Sequence, residues 1–147
     1  MGTTVAAVTL AGLAMAPAAH AGNTTCSADS TTSSYFGDCN RDADDGDAGG
    51  VSGDAGVVRH NASGVEASAY FSAKSEWFYG YNQDMDRKMR FRLYWKDSSG
   101  RMHTAVDQYL GAGVNEDWHV SLPEGVKVGI DVSSSSTGRA ALNSLRA

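Results

Sequence analysis

The stretch Lys88-Met89-Arg90-Phe91-Arg92-Leu93-Tyr94-Trp95-Lys96 decides the fold. Met89, Phe91, Leu93 and Trp95 alternate with Arg90, Arg92, Tyr94 and Lys96. In extended backbone that period of two puts all the large apolar groups on one face and the charges on the other, which is the pattern of a half-buried strand. Working outward, Asp97-Ser98-Ser99-Gly100 is a tight connection with Gly100 suited to a positive φ, so Arg101 to Leu110 returns as the hairpin partner. Upstream, Val65, Ala67, Ala69, Phe71 and Ala73 share a face, and a second strand centres on Trp77-Phe78-Tyr79-Gly80-Tyr81 before Asn82-Gln83-Asp84 turns the chain. Downstream, Trp118, Val120 and Leu122 alternate, Pro123-Glu124-Gly125 turns, and Val126, Val128, Ile130 and Val132 form a last strand. Helical heptads are absent. Strands at intervals of roughly ten residues predict an all-β domain over residues 57–132, a small antiparallel β-sandwich or barrel of about six strands.

The flanks read differently. Residues 133–147 begin with a Ser-rich run and form a C-terminal tail, in which Ala140 to Leu145 is a short helix or a frayed end. Residues 22–56 are Gly, Ser, Asp, Thr and Ala with Tyr35 and Phe36 as the only large apolar groups. So little burial does not offset the entropy of ordering, so the segment reads as an acidic, flexible arm. Residues 1–21 contain no charged side chain at neutral pH, and Val5 to Ala16 form an apolar, Ala-rich run. Pro17 breaks it, and Ala19-His20-Ala21 offers small side chains to a signal peptidase; the segment reads as a signal peptide cleaved before Gly22, although it lacks the customary Lys or Arg at its start. The run is too short for a stable membrane span. Export would oxidise the only two cysteines, Cys26 and Cys39, and their pairing would staple the arm, worth about 3 kcal/mol for a ring of this size.

Net charge is −5, unevenly placed: seven Asp stand against one Arg over residues 22–58, and ten acids against eleven bases over residues 59–147. Without a basic surplus, nucleic-acid binding is not expected. Within the arm, Asp38, Asn40 and Asp42 match the first three ligand positions of a calcium loop. Ala43 then occupies the place of the turn Gly and Gly49 that of the closing Glu, so a solvated acidic linker is the preferred reading and no cofactor is expected. His60, His103 and His119 lack helical metal spacing; His103 shares a strand face with Asp107, and His119 with Asp117, an arrangement that makes a metal or acid/base site only if those strands are neighbours. No Gly-x-Ser-x-Gly elbow is present, and Glu66, Glu76, Glu116 and Glu124 show no pairing of the kind glycoside hydrolysis needs.

The aromatic residues carry more information. Trp77, Tyr79 and Tyr81 fall on one face of their strand with Phe78 opposite. Packed outward, the three rings make a platform on which sugar rings stack through their C–H faces; packed inward, they are core. Large aromatics dominate small β cores, which favours the second arrangement. Arg90, Arg92, Tyr94 and Lys96 form an outward cationic stripe suited to an anionic polymer of the cell wall or a phospholipid surface, or more plainly a solvated strand face that discourages edge pairing.

Behind the Ala-rich export signal, Arg90-Phe91-Arg92-Leu93-Tyr94, Asp97-Ser98-Ser99-Gly100 and Leu122-Pro123-Glu124-Gly125-Val126 resemble the small secreted proteins of actinobacteria over roughly residues 57–132. The resemblance implies an extracellular β-sandwich and carries no functional residues with it. The expected function is that of a secreted, non-enzymatic protein binding a cell-wall component, a glycan or an extracellular protein. A secreted hydrolase or toxin with a dispersed site is the alternative, and a protease inhibitor presenting the Cys26–Cys39 loop is another.

Overall fold

The computed structural model describes residues 23–24, 26–43, 47–60 and 65–147. The expected signal peptide and its cleavage point lie outside the described residues. Among the described residues are eleven strands and no helix: β1 (Asn23–Thr24), β2 (Ala28–Asp29), β3 (Tyr35–Ala43), β4 (Val51–Arg59), β5 (Val65–Ser72), β6 (Trp77–Asn82), β7 (Met89–Lys96), β8 (Met102–Leu110), β9 (Asn115–His119), β10 (Lys127–Ser134) and β11 (Gly138–Arg146). All pairings are antiparallel, and the main path runs β8-β7-β10-β11-β4-β5-β6-β9. The outer strands β8 and β9 touch, so the sheet nearly closes into a barrel, and β10 packs across the core from β5. The all-β expectation holds, with more strands than the six foreseen.

The deciding stretch behaves as its alternation dictates. Met89, Phe91 and Leu93 are fully buried, while Arg90, Arg92 and Tyr94 are half-buried on the outer face. They meet Phe71 and Phe78 from β5 and β6, and Val128, Ile130 and Val132 from β10, in one continuous core. Burying a side chain of this size contributes about 1.5–3 kcal/mol each. The Asp97 turn is built as expected: its Oδ1 accepts from the Ser99 and Arg101 amides, each at 2.9 Å, and Gly100 has φ 83°. Bulges opposite Leu93/Tyr94, Val57/Val58 and Val128/Ile130 supply the bends that closure needs.

Both flanks join the sheet. The supposed arm contributes β3 and β4, paired along nine residues from Tyr35↔Arg59 to Ala43↔Val51. The supposed tail contributes β11, which lies in the middle of the path between β10 and β4; Ala140, Leu142 and Leu145 are buried there, and Ala140 to Leu145 is neither helix nor frayed end. The physical reason is the size of the inward side chains. β4 turns Gly53, Ala55 and Val57 to the core, too small to read as a hydrophobic stripe, because its neighbours come close: a Cβ at Gly53 would lie 2.5 Å from the Asn40 carbonyl oxygen and 2.7 Å from a Leu145 methyl. Cys26 and Cys39 are disulfide-bonded, with Cys39 in the core. The ring is further tied through β2, whose Asp29 accepts from the Gly37 amide at 2.9 Å while its backbone pairs with β11.

Candidate functional site

β6 presents the feature the sequence left open. Phe78, Gly80 and Asn82 are buried, and Trp77, Tyr79 and Tyr81 lie half-buried on the outer face. The inward packing favoured by the size of the aromatics is therefore corrected. Phe78 is the large apolar side chain that this strand sends into the core, stacked 5.5 Å from Trp118.

The sheet register builds the surroundings. On one side β5 sets Ser72, Tyr70 and Ser68 opposite Trp77, Tyr79 and Tyr81; on the other β9 sets His119, Asp117 and Asn115 opposite the same three. Ring centroids are 6.2 Å apart from Trp77 to Tyr79 and 6.3 Å from Tyr79 to Tyr81, with the two tyrosine planes within 2°. Tyr70 joins at 5.9 Å from Tyr79, and His119 meets Trp77 edge-on at 5.3 Å. The result is a strip of aligned aromatic surface bordered by short polar side chains. Asn115 and Asp117 are exposed and make no side-chain hydrogen bond or ion pair among the described residues. Burial, then the neighbouring Tyr79, Asp117 and Tyr70, push the Tyr81 hydroxyl up in pKa, so it stays a neutral donor near physiological pH. Such a surface can stack on an apolar ring face and hydrogen-bond at its edges.

The cationic stripe lies on the outer face of the opposing layer, as expected, but most of its charge is spent internally. Arg90 grips Asp107 through two bonds of 2.7 and 2.5 Å. Arg92 grips Asp131 at 3.0 and 2.6 Å. Asp131 is fully buried and also accepts from Arg139 at 3.1 and 2.9 Å. Arg139 reaches the Tyr94 hydroxyl at 3.3 Å, and that hydroxyl donates to the side-chain Oδ1 of Asn143. The Tyr94 ring lies on Gly129, where a Cβ would come within 2.3 Å of it.

The remaining sequence candidates are not drawn together. Asp38, Asn40 and Asp42 sit at alternate positions of β3, so their Cα atoms step by roughly 6.6 Å along one extended strand rather than folding around a centre. His103 stacks on Trp95 at 4.2 Å and bonds Asp97, not Asp107, at 2.8 Å; His119 belongs to the aromatic strip. No group of three His, Cys, Asp or Glu side chains suited to a metal ion occurs among the described residues. Nor is there, among them, a helix long and apolar enough to cross a membrane. Sequence reasoning missed the borders of the strip, Asn115 and Ser68 among them, because only the β5-β6-β9 register assigns them to it. Comparisons with protein-family models, curated proteins and solved structures give no match.

Proposed function

We propose that this is an exported glycan-binding protein that docks sugar rings on the Trp77–Tyr79–Tyr81 strip. One observation carries the reading: three large aromatic side chains that could have been core are held outward, mutually aligned and only half-buried. Keeping such surface in water is unfavourable unless a partner covers it. Sugars fit because their C–H faces are flat and apolar while their rims are hydroxylated, and here rings are flanked by Asn115, Asp117, His119, Ser68 and Ser72. The Cys26–Cys39 disulfide supports export, since such bonds persist in oxidising compartments. A wall polysaccharide is accordingly the favoured ligand.

The experiment is co-sedimentation of the purified protein with insoluble wall and plant polysaccharides. Wild type should be retained on at least one. Tyr79→Ala should lose roughly tenfold in affinity, the loss of one stacking contact, with its thermal unfolding unchanged. Retention of the variant equal to that of wild type would count against the strip.

A further inference from the structure

On the opposite layer, the register aligns Lys96 of β7, Lys127 of β10 and Arg146 of β11 directly across from one another. All three are exposed and share the outer face. Adjacent strands lie roughly 4.8 Å apart, so three like charges stand in a row about 10 Å long. Like charges directly opposite are destabilising in a sheet. Among the described residues no carboxylate pairs with them: the ion pairs of this layer engage Arg90, Arg92, Arg139 and His103, and none reaches the row.

Beside the row is a concave groove of about 560 Å³, lined by Lys96, Lys127, Thr104, Tyr94 and Asn143. The Tyr94 ring and the Asn143 side chain cover Gly129 on its floor, and Asp131 nearby on the same strand is wholly engaged by two guanidiniums. The groove thus pairs uncompensated positive charge with hydroxyl and carboxamide groups. We infer that this groove is a second binding site, distinct from the aromatic strip, for a carboxylate-bearing saccharide chain: the cations take the carboxylates, and the Thr104 hydroxyl and the Asn143 side-chain N–H groups take hydroxyls. Charge complementarity selects the anion. Concavity and the clustered hydrogen-bonding groups select a sugar chain over a lipid surface, which would call for several apolar anchors where the groove has Met102 as its one exposed large apolar residue. The site lies on β7, β8, β10 and β11, so it does not depend on the strip on β5, β6 and β9.

The test uses polygalacturonate, with a carboxylate on every sugar, as the probe. Binding by the intact protein should be measurable at low salt and weaken as sodium chloride is raised, as screening requires. Lys127→Glu should reduce affinity at least tenfold, whereas Arg41→Glu, the same charge change on β3, should leave it within twofold. Lys96→Glu should in addition raise the melting temperature by a few degrees, by turning a like-charge pair into an opposite one. Equal losses for Lys127→Glu and Arg41→Glu would overturn the site in favour of non-specific charge. So would binding of wild type to polygalacturonate no stronger than to neutral dextran. Capture by anionic phospholipid vesicles that matches capture by polygalacturonate, and is lost in Lys127→Glu, would overturn the assignment to a saccharide.

Discussion

Asp131 shows how much can rest on one residue. Its carboxylate is fully buried and accepts four bonds from Arg92 and Arg139, whose side chains are about a third exposed. Asp131→Ala would leave two guanidiniums facing each other; because water reaches both, the cost should be about 2–3 kcal/mol, below that of a wholly buried pair, as read by urea unfolding. Asn82, also fully buried, donates to the Arg87, Leu110 and Gly111 carbonyls at 2.8–3.1 Å and accepts from the Asp84 amide at 3.2 Å. Asn82→Ala strands those groups and should cost about 2–3 kcal/mol by the same measurement. Asp54 works the other way. Burial, with Asp38 nearby, raises its pKa, so the protonated form is favoured in the fold. A raised carboxylate pKa means the folded chain binds protons more readily than the unfolded one, and this residue's contribution to stability improves as pH falls through its folded pKa. Asp54→Asn should therefore raise the melting temperature at pH 7, and the gain should vanish below about pH 3.5, where both states are protonated in the wild type.

At the scale of elements, strands built on large side chains were legible and those built on small ones were not. β7 and β10 declare themselves through Phe91, Leu93, Ile130 and Val132. β4 packs Gly53, Ala55 and Val57 inward, and β11 packs Ala140 beside Leu142 and Leu145, with a bulge that breaks the alternation. Those strands exist because of partners far away in the chain, which no local pattern records. The outer face of β6 was beyond sequence reading for a related reason: which side of Trp77-Phe78-Tyr79 faces the core depends on β9, which supplies Trp118 to cover Phe78. The β3–β4 hairpin is no loose arm, and the disulfide that fastens its buried Cys39 to the chain before β2 contributes to global stability. Replacing Cys26 and Cys39 together by Ala should lower stability by about 2–4 kcal/mol while leaving the β-sheet circular dichroism signal in place.

For the whole molecule, the path order separates two surfaces. The aromatic strip occupies the outer face of β5, β6 and β9, and the cationic groove that of β7, β8, β10 and β11, with one core between them. The rings are placed by strand register, and the side chains beside the groove are tied by the Asp131 network. The central claim is that the outward rings of β6 carry the binding, and intrinsic fluorescence reads it most directly because Trp77 stands at one end of the strip. Titration with soluble fragments of a retained polysaccharide should change the emission saturably. The change should be largely lost in Trp77→Phe, which keeps a stacking ring, and should need roughly tenfold more ligand in Tyr79→Ala. An undiminished signal in Trp77→Phe, together with wild-type affinity in Tyr79→Ala, would contradict the account.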